Sequence, residues 1–294
     1  MKIASVTIYC NEQFRLSYWI QFFNEYRHHI YLQVIVNNGS VSDTDLLKES
    51  FPEAVVLESP TNNMIASYNM GVQYILNNTD ADSILQITND IRLEGGGLKA
   101  LHELLYGQEN AGLISPILLK KDSDIIESYG AEINLRNLDF IHIAAGKRLC
   151  EIPKSVEKRN GLPGGCFLTK RNVYEQIGLQ DIRINMYADE IDTGIKCAKQ
   201  GIELYATSLV LSWHQHVYPG GKILRNPMAY YFMARNPIYI AKKHYGFVAS
   251  LRVFRRRLGL ATIQLLSCIH HLKSREYFKC AFYSFRGCLV GLFY

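Results

Sequence analysis

The chain has 294 residues, a net charge of +5, and 48% hydrophobic and 20% charged residues. That is ordinary globular composition, long enough to bury a core without disulfide or metal staples. The seven scattered cysteines contain no CxxC pair, which excludes a disulfide framework or a zinc site of the usual spacing and suits a reducing cytoplasm.

The first run, Ile3–Tyr9, reads as a strand that Asn11 and Glu12 interrupt, so no secretory leader is expected. Phe14–Tyr26 follows as an amphipathic helix. Leu32–Val36 is a continuous β-branched run, the mark of a strand buried on both faces. Ala54–Leu57 is the next strand, and Asn63–Leu76 a helix with Ile65, Tyr68, Val72 and Ile75 on one side. Strand Ser83–Thr88 and helix Leu98–Leu105 continue the alternation. Strands alternating with helices at this spacing predict parallel βαβ units with right-handed crossovers.

Residues 111–147 hold short strand-like runs without clear helices. The pattern then resumes with strand Gly165–Thr169, helix Arg171–Ile177, a helix over Ile191–Lys199, and strands Glu203–Ala206 and Leu209–Trp213. Beyond Pro227 the chain reads as helical. Pro219-Gly220-Gly221 is the clearest joint. The longest apolar stretch, Leu258–Ile269, covers about 12 residues, short of the roughly 20 that cross a bilayer. We therefore expect no transmembrane helix, and divide the chain into a catalytic domain over 1–218, a helical closing segment over 219–246, and basic helices over 247–294.

Ligands of open α/β sheets bind beyond the carboxyl ends of the strands. There the sequence places Cys10-Asn11-Glu12, then Asn37-Asn38-Gly39-Ser40, then Thr88-Asn89-Asp90. Each alone is also an ordinary turn. Asp189-Glu190-Ile191-Asp192 is the densest acidic cluster. It reads either as an N-cap at Asp189 with acids in the first turn, or as a carboxylate fixed in a cleft as a general base. His214 and His216 sit two apart on a strand and point the same way. His214 is the preferred metal ligand, and His216 reads as structural. Gly95-Gly96-Gly97 lacks the spacing of a phosphate loop. Cys166 has no evident base partner and reads as a small core residue.

Taken together and in order, these pieces resemble the family 2 inverting glycosyltransferases, especially their rhamnosyltransferase-like members, from about Ile3 to Lys243. Val36–Ser40 resembles the family's V-D-N-G-S segment. Asn69-Met70-Gly71 resembles its N-x-G, and Thr88-Asn89-Asp90 its N-N-D version of the metal-binding DxD. Pro163–Leu168 is similar to the strand below the acceptor site. Ala188–Asp192 resembles G-E-D-x-D, whose second acid is the usual base. Tyr230-Tyr231 through Arg235-Asn236 resembles Y-Y-x-x-x-R-N.

The resemblance implies a GT-A fold: a Rossmann-like, mixed and mainly parallel sheet flanked by helices, here with a helical C-terminal extension. It implies Glu190, with Asp189 and Asp192, as the catalytic acids. It implies nucleotide-sugar contacts from Asn11, Asn37, Asn38, Gly39, Ser40, Asn69, Asn89 and Arg235. Asp90 and His214 would hold Mg2+ or Mn2+, and Gly164, Gly165 and Cys166 would line the acceptor region. Three departures stand out. Asn37 replaces an Asp, Thr88 replaces an Asn or Asp, and the acid pair is inverted, so the base is either Glu190 or Asp189.

The implied reaction is hexosyl or rhamnosyl transfer from a nucleoside-diphosphate sugar to a polyprenyl-diphosphate-linked glycan, as in bacterial O-antigen or capsule assembly. The alternatives are a nucleotidyltransferase of similar fold, whose basic Gly-rich loop is missing at Cys10–Gln13, and a non-catalytic nucleotide-sugar or glycan-binding protein. Residues 247–294 carry +7 against −2 for the rest of the chain. Their cations interleave with Phe247, Leu251, Phe254, Leu258, Tyr277, Phe278, Phe282 and Phe285. This predicts docking on an anionic membrane at the cytoplasmic face, with plain packing against the body as the alternative. No nucleic-acid motif accompanies the basic tail, so nucleic acid is not an expected partner.

Overall fold

The structure is a computed structural model describing residues 1–215, 226–270 and 275–294. His216 and the Pro219–Gly221 joint lie outside the described residues.

Four strands form the parallel half of a mixed sheet: β1 (Ile3–Tyr9), β2 (Ile30–Asn37), β3 (Val55–Glu58) and β4 (Ser83–Ile87), in the order β3-β2-β1-β4. All five residues of β4 are buried, as expected of a central strand covered on both faces. The helices α1 (Leu16–Tyr26), α2 (Asp43–Ser50), α3 (Met64–Asn78) and α4 (Gly97–Gly107) follow or connect the strands. Asn63 caps α3, its side chain accepting from the Ala66 N–H at 3.0 Å. Gly71 lets α3 lie close on the sheet, because a Cβ there would come within 2.6 Å of Val6 and 3.1 Å of Val36.

The second half of the sheet brings the functional segments together. β5 (Ile91–Leu93) follows β4, and β6 (Ala111–Lys120) follows α4. Next come β7 (Ile126–Ser128), the hairpin β8 (Ala131–Asn134) and β9 (Asp139–His142), edge strand β10 (Val156–Arg159), and β11 (Cys166–Lys170). β11 runs antiparallel to both β4 and β6, with Cys166 opposite Ile87. This sets Gly164 and Gly165 beside Thr88. Helices α5 (Arg171–Ile177) and α6 (Asp189–Lys199) lead to β12 (Glu203–His214), parallel to β6 and antiparallel to β5. Pairing of His214 with Ile91 carries His214 next to Asp90.

Two expected strands, Glu203–Ala206 and Leu209–Trp213, are one strand with a register shift between Thr207 and Leu211. Hydroxyls stabilise the irregularity. Thr207 Oγ1 accepts from the Leu209 N–H at 3.0 Å, and Ser208 Oγ donates to the Pro153 carbonyl at 2.8 Å. The C-terminal region is helical: α7 (Pro227–Tyr245), α8 (Phe247–His270) and α9 (Arg275–Phe293). One apolar cluster joins Ile191 and Ile195 of α6, Ile238 of α7, Val253 of α8, Cys288 of α9 and Ile133 of the hairpin. The tail helices are thus built onto the body. Among the described residues no helix is long and apolar enough to cross a membrane.

Candidate active site

At the ends of β1 and β2 two loops are laced together. Asn11 adopts a left-handed backbone (φ 53°), and its Oδ1 accepts from the Ser40 N–H at 2.7 Å. Gly39 fits only because it has no side chain; a Cβ would lie 2.5 Å from Asn11 Oδ1. Asn37 Oδ1 accepts from Gly39 N–H at 2.9 Å, while its Nδ2 donates to the Ser40 carbonyl at 2.8 Å and Thr44 Oγ1 at 3.1 Å. The Asn37 amide is therefore held within its own turn. Asn38 differs: its Oδ1 is buried with no hydrogen-bond partner, a position that a ligand donor would satisfy.

Beyond β4 lies a charged cluster. Thr88 Oγ1 donates to Asp90 Oδ1 at 2.8 Å, so the residue that departs from the family pattern orients the carboxylate beside it. Arg15 Nη1 lies 3.0 Å and His214 Nε2 3.3 Å from Asp90 Oδ2. Glu127 Oε1 lies 2.9 Å from His214 Nδ1. Arg15 also pairs with Glu12 at 3.1 Å, and Asn89 Nδ2 donates to Glu12. Burial works to raise the Asp90 pKa, but the His214 and Arg15 cations and the Thr88 hydroxyl hold it well below the usual carboxylate range. Burial likewise works to lower His214; its bonds to Asp90 and Glu127 outweigh that and raise it to about 9. Asp90 and His214 thus stand side by side, the neighbourhood that their strand-end positions and the resemblance implied. Glu12 stands at the strand end where the sequence placed it, whereas Arg15 and Glu127 were not anticipated and reach the cluster from distant parts of the chain.

An imidazole beside a carboxylate is a donor set that Mg2+ or Mn2+ accepts when a ligand's diphosphate oxygens complete the shell. Among the described residues no three His, Cys, Asp or Glu side chains group into a closed protein cage. Here both His214 nitrogens face carboxylates and Asp90 pairs with Arg15, so taking up a metal requires His214 to lose its proton and a ligand's oxygens to complete the shell.

The acidic pair opens α6. The residue in the cap position is Ala188, not Asp189; Ala188 is left-handed (φ 66°) and gives no side-chain cap. Asp189 is the first helical residue. Asn185 and Tyr187 are also left-handed, at φ 69° and 62°, which is costly for residues with a Cβ. Asn236, fully buried in α7, holds this loop with Nδ2 bonds to the carbonyls of Ile184 (3.0 Å), Met186 (2.8 Å) and Tyr187 (2.7 Å). Arg235 donates to the carbonyls of Arg183 and Ile184 and to Asn236 Oδ1. The structure therefore places Arg235 beneath the loop, as its clamp.

Burial drives the Asp189 carboxyl well above its ordinary value, with the Glu190 charge adding to the shift. Burial raises Glu190 too, opposed by backbone N–H groups, including that of Gly164, and by the Asp189 side chain. A Cβ on Gly164 would sit 2.8 Å from Glu190 Oε1, so that glycine makes room for the acid. Both carboxyls are therefore harder to ionise than free ones, Asp189 the more strongly raised. Tyr68, buried in α3, has its hydroxyl pKa raised first by burial and then by the charges of Asp189, Asp90 and Glu12. Its apolar spacing alone marked it only as core.

Two other expected site residues lie elsewhere. Asp192 is turned toward α7, 2.7 Å from Lys243, 2.7 Å from His244 and 3.6 Å from Lys196. It ties the helices together and is not beside Glu190. The Asn69 amide exchanges two bonds with the backbone of Gln180, at 2.8 and 3.1 Å, and so holds the start of the same loop. Gly165 packs against Ile91, and Cys166 is buried in the core.

No family model matches the sequence. The low-salt glycan biosynthesis hexosyltransferase Agl10 of Haloferax volcanii is 20% identical over 225 residues, covering 70% of this chain and 71% of that protein. The crystal structure of GalNAc-T7 with UDP, GalNAc and Mn2+ superposes with a TM-score of 0.58 at 13% identity, over 81% of this chain. This chain spans about half the length of that structure, matching 51% of it. The chain has the GT-A glycosyltransferase fold, and the sequence relative and the structural neighbour together support a glycosyltransferase enzyme.

Proposed function

We propose that the chain is an inverting glycosyltransferase that moves a hexose or deoxyhexose from a nucleoside diphosphate to an acceptor hydroxyl on a growing glycan. One observation carries the reading. Buried Asp189 and half-buried Glu190 open a helix beside Gly164, β11 begins two residues later and pairs with β4, and the turn after β4 carries Asp90 to His214 at the end of β12. A single displacement needs a proton acceptor and a diphosphate-binding group near one another, and this neighbourhood of segments supports that reading.

Glu190 takes the proton of the acceptor O–H while that oxygen bonds to the anomeric carbon. The bond from that carbon to the diphosphate oxygen breaks, and its electron pair leaves on the diphosphate. A carboxylate with a raised pKa is the better base near neutral pH. Asp189, protonated, donates to Glu190 and keeps it oriented. A divalent cation held by Asp90 and His214 would neutralise the leaving diphosphate. Asn38 Oδ1, unpartnered and buried, is suited to an N–H of the nucleotide base, with Gly39 and Ser40 beside it. The hexosyltransferase relative favours a glycan acceptor. If that acceptor is anchored on a polyprenyl diphosphate, the enzyme works at the cytoplasmic face of a membrane.

Glu190→Gln keeps size and hydrogen bonding and removes basicity. It is expected to lower turnover by about 10²-fold or more while leaving donor affinity unchanged. Near-normal turnover in Glu190→Gln together with an inactive Asp189→Asn would transfer the role to Asp189.

A further inference from the structure

The C-terminal helices bury one side and leave the other open in an ordered way. In α9 the buried residues are Cys280, Ala281, Ser284, Gly287, Cys288 and Gly291. Gly287 and Gly291 abut the α7 backbone; Cβ atoms there would lie 2.3 Å from the Tyr231 carbonyl and 2.7 Å from that of Arg235. The opposite face carries Arg275, Lys279, Phe282, Arg286, Leu289 and Phe293 at alternating spacings of four and three residues. Such spacing makes one continuous stripe on a helix. Phe282 is 65% and Phe293 82% exposed. α8 adds Ile263, Leu266 and Ile269, all exposed. The α9 terminus reaches Lys242, whose Nζ lies 3.3 Å from the Tyr294 carbonyl. That point is close to the α7–α8 corner, where Phe247 and Val248 are exposed.

We infer that the outer face of α9 is the docking surface for an anionic lipid bilayer, with the C-terminal half of α8 beside it. Cations alternate with large apolar side chains along the stripe, the pattern of a helix lying in the headgroup region. Glu276 is the single acid of residues 247–294, and it sits 3.4 Å from Lys279. A second copy of the chain fits this face poorly, since pairing two such stripes would oppose like charges. The structure also moves the contact away from the start of α8. There Arg256 and Arg257 reach Asp139 of the β8–β9 hairpin at 3.1 and 3.0 Å, and Phe254 packs on the body.

This surface deepens the lipid-linked acceptor reading and rests on it for its purpose, but its test needs no turnover. The full chain would be floated with vesicles of phosphatidylcholine alone or with about one-third phosphatidylglycerol. Wild type is expected to bind the anionic vesicles and to be released by salt. Arg275→Gln/Lys279→Gln/Arg286→Gln should weaken that binding by about 10²-fold, since each near-surface cation contributes roughly fivefold. Phe282→Ser/Leu289→Ser should weaken binding to a salt-independent degree. All five positions are exposed, and unchanged circular dichroism and thermal unfolding would show that the variants fold. Glu190→Gln should bind vesicles like wild type, so a failed catalytic assignment leaves this result unaffected. Equal vesicle binding by the charge variant and wild type would overturn the inference. So would a wild type that ignores vesicles but self-associates through Phe282.

Discussion

Asp189 and Glu190 meet a difficulty that neither escapes alone. Two carboxyls in a site with little water cannot both ionise cheaply, and burial raises both. Folded Asp189 binds its proton more tightly than in the unfolded chain, where its value is 3.8. Above that value the folded state holds the extra proton, so its stability falls as pH rises through the raised range. Asp189→Asn removes the group. We expect it to melt above wild type at pH 7, with the difference shrinking toward pH 4, as read by calorimetry; a lower melting temperature at both values would contradict the burial argument. At the proposed donor site, Asp90→Ala or His214→Ala should each weaken manganese-dependent donor binding by at least about 10-fold in titration calorimetry. Unchanged metal-dependent affinity in both variants would remove these residues from the donor site. Asp90 and His214 were legible in the sequence because each stands at a strand end. Arg15 and Glu127 were not, because only the fold brings them across 75 and 87 residues to the same pair.

At the scale of elements, the buried strands were readable and the peripheral ones were not. β1, β2 and β4 are apolar runs because they are covered on both faces, and α5 keeps the expected limits Arg171–Ile177. β10 is Val-Glu-Lys-Arg at the sheet edge and β5 has three residues, so neither shows a period. Asp192 lies on a different side of α6 from Glu190. Residues two apart on a helix face different ways, and Asp192 meets Lys243 and His244 of α7. The Arg235-Asn236 pair is the counterpart on α7, steadying the left-handed run before α6. Asn236→Ala would take the Nδ2 donor from the carbonyls of Met186 and Tyr187, while that of Ile184 keeps its bond from Arg235, at about 1–3 kcal/mol. Because that loop sets the entry of Glu190, turnover should fall further than donor affinity does. A variant that unfolds earlier but keeps wild-type turnover would show that the clamp serves stability alone.

For the whole molecule, the three C-terminal helices are structural partners of the catalytic body as well as a surface. The alternative that they pack on the body accounts for the inner faces of α8 and α9. The outer stripe is what that packing leaves open. A chain ending at Gly246 would uncover Ala234 and Ile238 of α7, with Val253 and Cys288 removed from against them. At roughly 1.5–3 kcal/mol for each fully buried large side chain, the loss amounts to several kcal/mol. Thermal unfolding should shift down by roughly 10 °C or more. Truncation therefore confounds folding with membrane binding, whereas the exposed substitutions on α9 separate them. An unchanged melting temperature in the truncated chain would mean that α8 and α9 are independent of the body.

The measurement closest to the central claim is product analysis. The full chain would be incubated with a panel of nucleoside-diphosphate sugars, Mn2+ and glycan acceptors, and followed by mass spectrometry, with the anomeric configuration of any product read by NMR. We expect one donor to be consumed with release of its nucleoside diphosphate. The new glycoside should have the configuration opposite to the donor's, and its formation should be lost in Glu190→Gln. Retention of the donor configuration, or transfer that survives Glu190→Gln at the wild-type rate, would contradict the single displacement built on Glu190.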